Sequence, residues 1–336
     1  MPEERPPALM VGNPGRLELI YGPAQRRQIH EHTRLLADPL SAPQLAERPQ
    51  LLREVELIFS GWGAPKFHAE LLDQAPNLRA VFYGAGSIRS LVTDAFWDRG
   101  IVITSSYRAN AVPVAEFCLS QILYQLKNGH AIARDYRAHR ARPGARDEMV
   151  HGGYGSRVGL ISFGQIARLT RKLLRPIEVE VMVYCPFMTE DLAAEHDIVP
   201  ATLEQVFAQC PVVSLHTPNL PETRGMIQAE HLRAIPAHGT FINTARGAVV
   251  DEPGMIEVLT ERPDLTAVLD VTDPEPPAPD SPLWTLPNVV LTPHVAGSQG
   301  PECRRMGQYA VDEMKRFLRG QPLQHQITRE QAKVLA

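Results

Sequence analysis

Residues Arg157–Tyr184 read RVGLISFGQIARLTRKLLRPIEVEVMVY. A short apolar run, RVGLI, enters a glycine-containing turn, SFGQIA, a helix-like stretch follows, and the Val-rich run Val179–Tyr184 closes the unit. That order is a strand, a turn onto a helix, and a strand parallel to the first. The turn has the spacing of the G-x-G-x-x-G/A fingerprint, in which a helix N-terminus receives a pyrophosphate. Ser162 stands at the first position, Gly164 at the middle one and Ala167 at the last. Only the middle glycine, where backbone must approach phosphate closely, is strictly kept. Ala at the third position is tolerated, whereas Ser at the first puts a side chain into a tight turn. An acidic residue about 20 positions on normally holds the adenine ribose, yet here the strand EVEVMVY runs into Cys185.

Working outward, the same alternation runs the length of the chain and makes it an α/β protein. Before the quoted unit, strands are expected at Leu9–Val11, Val55–Ser60, Leu78–Tyr83 and Ile101–Ser105, with amphipathic stretches at Lys66–Gln74 and Thr93–Arg99 between them. These make one small doubly wound domain. VPVAEFCLSQILYQLKNG then reads as a buried helix, with Pro113 in its first turn and Gly129 as its C-terminal cap. A polar stretch, Arg134–Ser156, leads into six strands: Val158–Phe163, Val179–Tyr184, Val212–His216, Thr240–Thr244, Leu265–Asp270 and Val289–Thr292. Six is the size of a full dinucleotide-binding sheet. The closing helix, Glu302–Gly320, suits a return to the first domain. The expected arrangement is therefore a first domain of residues 1–111 and 298–336, with a dinucleotide-binding domain, 112–297, inserted into it.

Composition narrows the class of function. The 336 residues are 44% hydrophobic and 21% charged, as in an ordinary globular protein, and the formal net charge of −4 offers no basic footprint for nucleic acid or anionic lipid. No apolar run reaches the roughly 20 residues of a membrane helix, and the N-terminus lacks a signal-peptide core. A cytoplasmic protein acting on small molecules is expected. The four cysteines are scattered without a Cys-x-x-Cys pair and the 12 histidines form no H-E-x-x-H cluster, so neither disulfides nor a metal site is signalled. A serine-hydrolase reading of Ser162 fails because G-x-S-x-G needs glycine where Leu160 stands.

Several strands of the second domain end in residues of catalytic type. VVSLH ends at His216, TFINTA is followed by Arg246, LTAVLD ends at Asp270 and VVLTPH ends at His294. Ligands of open parallel sheets bind outside the carboxyl ends of the strands, so all four point to one crevice.

Seven blocks in order resemble the D-2-hydroxyacid dehydrogenases: YGAGS (Tyr83–Ser87), NAVPVAE (Asn110–Glu116), VGLISFGQIA (Val158–Ala167), SLHTPNLPETRGMI (Ser214–Ile227), FINTARGAVVDE (Phe241–Glu252), LDVTDPEPP (Leu269–Pro277) and LTPHVAGS (Leu291–Ser298). The resemblance covers nearly the whole chain. It implies a Rossmann-type dinucleotide-binding domain inserted into a smaller flavodoxin-like substrate domain. It also implies hydride transfer between NAD, or NADP, and C2 of a small 2-hydroxy or 2-keto acid. Arg246, Glu275 and His294 fall on the family's catalytic set, and the backbone of Ala85 and Gly86 on the loop that holds the substrate carboxylate. Arg246 and His294 also face that substrate. The implied cofactor contacts are Ser162, Gly164, Gln165, Ile166, Cys185, His216, Thr217, Pro218, Thr244, Ala245, Asp270, Ala296 and Gly297, with Asp270 bordering the nicotinamide. No metal takes part. Relatives pair through the helix that here holds Ala115–Leu126, which implies a homodimer, and no nucleic-acid or membrane partner.

This residue set suits the chemistry. A group titrating near neutrality serves as base for the hydroxyl proton and as acid in the reverse direction, which fits His294. A carboxylate on the imidazole fixes its tautomer and favours its protonated form, the part implied for Glu275. A guanidinium fork, Arg246, binds the substrate carboxylate and polarises the C2 oxygen. Cys185 stands in the register of the ribose-binding aspartate without its charge. The preference between NAD and NADP is therefore open. So is the choice between an active enzyme and a dinucleotide-sensing, corepressor-like binding protein, or a relative whose cofactor site is vestigial. Trp62, Tyr107 and Arg89 are open between lining the substrate pocket and serving packing or solvent.

Overall fold

The computed structural model describes residues 5–142, 144 and 147–334. Of the Arg134–Ser156 stretch, positions 143, 145 and 146 thus lie outside the described residues, as do 1–4 and 335–336 of the two terminal domain segments. The chain divides into two compact units, Met1–Asn110 with Ser298–Ala336, and Ala111–Gly297.

In the first unit, β1 (Pro7–Val11), β2 (Arg34–Leu35), β3 (Leu57–Ser60), β4 (Ala80–Tyr83) and β5 (Val102–Ser105) form a parallel sheet in the order β2-β1-β3-β4-β5. Successive residues of a strand point to opposite faces, and the core follows that period. Leu9, Val11, Ile58, Val81 and Ile103 pack with Leu72 and Phe96, whereas Ala8, Met10, Phe59 and Phe82 pack with Leu17, Ile29, Met306 and Met314. The last two belong to the helix Cys303–Leu318, which brings the end of the chain back onto this sheet.

The second unit holds seven parallel strands: β6 (Arg157–Ile161), β7 (Glu180–Tyr184), β8 (Val199–Pro200), β9 (Val212–Leu215), β10 (Thr240–Asn243), β11 (Thr266–Leu269) and β12 (Val289–Leu291), in the order β12-β11-β10-β9-β6-β7-β8. Val158, Leu160, Val212 and Ile242 bury one face against Cys118, Ile122 and Leu174. Ile161, Val213, Phe241 and Leu269 bury the other against Phe207, Leu232 and Val258. Strand order reverses between β6 and β9, which makes that gap the switch point where such sheets bind ligands.

Four expectations need correction. Pro113 does not open its helix, which runs Tyr107–Leu126 and carries Pro113 in its interior. Ser106 starts it earlier: its N–H is held by the carbonyls of Tyr83 and Ala85, and its own carbonyl accepts from Asn110 N at 3.0 Å. Gly129 does not cap that helix but begins the next, Gly129–His139, because Asn128 takes the left-handed turn at φ 47°, a conformation Asn tolerates. That second helix also occupies the start of the stretch read as a polar connection. Finally, β2 and β8 were not expected: two-residue edge strands, one ending in proline, are too short to show a period.

Candidate active site

The residues singled out from the strand ends lie on consecutive strands of the second sheet. Across the carboxyl edge they run His294 after β12, Asp270 after β11, Arg246 after β10, His216 after β9, Ser162 and Gly164 after β6, and Cys185 after β7.

On the β10–β12 side the side chains bind one another. His294, at a left-handed φ of 53°, places Nδ1 2.7 Å from Glu275 Oε1. Its loop is knotted by Asp270, a buried carboxylate that accepts from Thr292 Oγ1 at 2.6 Å, Val295 N at 2.8 Å and Ala296 N at 2.9 Å. Asp270 therefore acts on the loop that presents His294. Arg246 follows β10 on a loop bracketed by one amide: Asn243 Oδ1 accepts from Ala245 N at 3.0 Å and Asn243 Nδ2 donates to Arg246 O at 3.2 Å. Burial lowers the Arg246 guanidinium from its ordinary range, and the charge of Glu275 opposes that shift. Gly247 lets the Arg246 loop meet the loop bearing Glu275, since a Cβ there would lie 2.0 Å from the Thr272 carbonyl carbon. Glu252 ties the same two loops by accepting from Asp273 N at 3.0 Å; burial raises its carboxyl. Asn243, Gly247, Glu252 and Thr292 were not singled out from the sequence. All four lie inside or beside the quoted blocks, but their partners are distant in the chain.

The β6–β9–β7 side is different. His216 N donates to Ile161 O at 2.9 Å across the switch point, and Ser162 N to Tyr184 O at 2.7 Å. Ser162 has φ 75°, the left-handed region that the glycine of the fingerprint serves, so the added side chain sits at a strained position. Gly164 caps the ten-residue helix Gln165–Leu174 with no side-chain cap, and a Cβ on it would meet nothing within 4 Å. An open space at an uncapped helix N-terminus fits a phosphate, with Gln165 and Ile166 in its first turn. Both ring nitrogens of His216 and the hydroxyl of Thr217 are shielded and have no hydrogen-bond partner among the described residues. Burial pushes the His216 imidazole down to about 4. Thr244 is buried, 3.2 Å from Cys118 Sγ, and Ala245 is buried beside it. Pro218, Gly297 and Cys185 are half-buried, and Cys185 follows β7 directly as a free thiol. The space at Gly164 and the unpartnered His216 and Thr217 groups fit a dinucleotide.

In the first unit, the loop after β4 carries Ala85, buried, and Gly86, half-buried. Ser105 Oγ donates to both carbonyls, at 3.1 and 2.5 Å, while the amides of Ala85 and Gly86 reach no backbone acceptor among the described residues.

The family model described as "D-isomer specific 2-hydroxyacid dehydrogenase, NAD binding domain" matches residues 119–296, over half of the chain. The chain belongs to the D-isomer specific 2-hydroxyacid dehydrogenase family. Among relatives of this family, the (S)-sulfolactate dehydrogenase of Chromohalobacter salexigens is 32% identical over 250 residues, covering 74% of this chain and 80% of that protein. The D-3-phosphoglycerate dehydrogenase of Archaeoglobus fulgidus is 27% identical over 294 residues, 83% of this chain and 53% of that one. The chain thus spans about half the length of the phosphoglycerate dehydrogenases it matches. A crystal structure of a phosphoglycerate oxidoreductase from Rhizobium etli has the same fold, with a TM-score of 0.80 at 22% identity over 97% of this chain and 99% of that one. No helix among the described residues is long and apolar enough to cross a membrane.

Proposed function

We propose that the chain reduces a small 2-keto acid at C2 with NAD or NADP as cofactor, and oxidises the 2-hydroxy acid in the reverse direction. The bound reduced dinucleotide supplies the hydride. His294 gives the proton to the C2 oxygen from Nε2, because Nδ1 is engaged by Glu275. The carboxylate at 2.7 Å fixes the tautomer and orientation of the ring. Arg246 binds the substrate carboxylate with its planar fork and polarises the C2 oxygen. In the first unit the amides of Ala85 and Gly86 are donors of the kind that suits a carboxylate. Asp270 is a positioning residue, holding the loop of His294. Ser162, Gly164, Gln165 and Ile166 receive the pyrophosphate, Cys185 lies at the adenine ribose, and His216, Thr217, Pro218, Thr244, Ala245, Ala296 and Gly297 line the remainder of the dinucleotide.

The observation that carries this reading is the His294–Glu275 pair, at the end of β12 beside the Arg246 loop. Its test is a panel of 2-keto acids, glyoxylate, hydroxypyruvate, pyruvate and bulkier sugar acids, assayed with NADH and NADPH in parallel. Turnover of at least one acid is expected. Saturable dinucleotide binding without turnover of any would replace the enzyme by a dinucleotide-sensing protein. The reading includes a homodimer formed through the Tyr107–Leu126 helix, where Tyr124 is 44% exposed. Light scattering at micromolar concentration is expected to give twice the mass of one chain. All four cysteines are free thiols, three of them buried, which suits a reducing cytoplasm.

A further inference from the structure

Strand register in the first unit lines up residues that lie far apart in the chain. Val11 pairs with Ser60, Ser60 with Tyr83, and Tyr83 with Ser105. Two residues beyond each strand end, Asn13, Trp62, Ala85 and Tyr107 follow one another along the carboxyl edge, on strands about 4.8 Å apart. The row is tied by its backbone. Asn13 N donates to Trp62 O at 2.8 Å, and Gly84 N to Ser60 O at 2.8 Å. Trp62 is turned by Gly63, which has φ 84° and leaves no room for a Cβ, whose nearest neighbour would be Asn13 N at 2.7 Å.

Each aromatic ring of the row carries an arginine. The Arg16 guanidinium carbon lies 5.5 Å from the centroid of the Trp62 ring, and that of Arg108 lies 5.8 Å from the Tyr107 ring. The two arginines are not equivalent. Arg108 Nε donates to Tyr107 Oη at 3.0 Å. The Arg16 side chain makes no hydrogen bond or ion pair among the described residues, although its backbone is fixed by Asn13, whose Oδ1 accepts from Arg16 N at 3.2 Å. A positioned guanidinium with all its donors open, on the helix after β1, thus lies over Trp62, whose strand β3 neighbours the strand that leads into the open amides of Ala85 and Gly86.

We propose that Arg16, laid over Trp62, receives a second acidic group on the substrate side chain, so that the preferred 2-keto acids are doubly anionic. This inference rests on the dehydrogenase reading and on the Ala85–Gly86 loop taking the C1 carboxylate. One to two strand spacings, ~5–10 Å, separate the two anion sites. That span suits a carboxylate, phosphate or sulfonate carried one to three atoms beyond C2, with the intervening carbons against the Trp62 face. A guanidinium accepts any of these acids by paired charge-assisted hydrogen bonds.

The test compares kcat/KM for 2-oxoglutarate, 3-phosphohydroxypyruvate and 3-sulfopyruvate with that for pyruvate, 2-oxobutyrate and phenylpyruvate, in the full chain and in Arg16→Gln and Arg16→Lys. At least one doubly anionic acid is expected to exceed every uncharged-side-chain acid. In Arg16→Gln its advantage over 2-oxobutyrate is expected to fall by ~10–100-fold, chiefly through KM, with partial recovery in Arg16→Lys. The arm that responds identifies which acid the site takes. A wild-type preference for phenylpyruvate or pyruvate, or a ratio within two-fold of wild type in Arg16→Gln, overturns the assignment of Arg16 and leaves the dehydrogenase reading standing. No turnover of any acid with either dinucleotide overturns both.

Discussion

The two sides of the seven-stranded sheet differ in where their hydrogen bonds go. On the β10–β12 side the polar groups are bound to one another: Glu275 to His294, Asp270 to Thr292, Val295 and Ala296, and Asn243 to Ala245 and Arg246. On the β6–β9–β7 side they are left open, with His216 and Thr217 without partners and space at the uncapped Gly164. A catalytic constellation must hold its geometry before the substrate arrives, whereas a cofactor site can be completed by the cofactor. The contrast implies that substitutions within the bound network around His294 change rate, and those among the open groups change binding.

The strongest way to break that division is His294→Ala. Turnover is expected to fall by ~10²–10⁴-fold with dinucleotide affinity by calorimetry nearly unchanged, since proton transfer belongs to the transition state. Equal loss in both quantities would erase the distinction between the two sides. Asp270→Asn sharpens it from a distance. An amide cannot accept at both oxygens, so the loop of His294 loosens, and kcat is expected to drop ~10-fold or more while the KM for the keto acid changes less.

On the open side, Cys185→Asp supplies the carboxylate that the register calls for. The ratio of kcat/KM with NADH to that with NADPH is expected to rise by about 10-fold, through acceptance of ribose hydroxyls and repulsion of a 2′-phosphate. A shift towards NADPH would remove Cys185 from the ribose. His216 is tested on stability instead of on rate or affinity. Its folded value of about 4 lies below the ordinary 6.5, so the unfolded chain takes the proton first. The stability from neutral His216 is present above pH 6.5 and is lost as pH falls towards 4. Urea unfolding at pH 7.5 and pH 5 is expected to show a loss about 2 kcal/mol smaller in His216→Asn than in wild type.

Much of this was legible in the sequence, for identifiable reasons. The strands of both sheets are short Val- and Ile-rich apolar runs between turn residues, and strand-end position alone pointed His216, Arg246, Asp270 and His294 towards one edge. Glu275 came from resemblance, because it lies in a loop with no periodic signal, six residues past the end of β11. The knot around Asp270 was not legible, since its donors at Thr292, Val295 and Ala296 reach it only once β11 and β12 are paired. Pro113 and Gly129 misled because their local preferences for helix ends yielded to contacts made by Ser106 and Asn128. The row of Asn13, Trp62, Ala85 and Tyr107 likewise exists only through strand register.

The central claim is that His294 delivers the proton with its ring held by Glu275. Keto-acid reduction by Glu275→Ala, set beside Glu275→Gln, tests it most directly. The amide keeps a hydrogen-bonding partner at Nδ1, whereas Ala leaves the ring unheld. Turnover is expected to fall ~10–100-fold in Glu275→Ala and less in Glu275→Gln, with dinucleotide affinity nearly unchanged in both. Turnover of Glu275→Ala within two-fold of wild type, or an equal loss of dinucleotide affinity, would contradict the account.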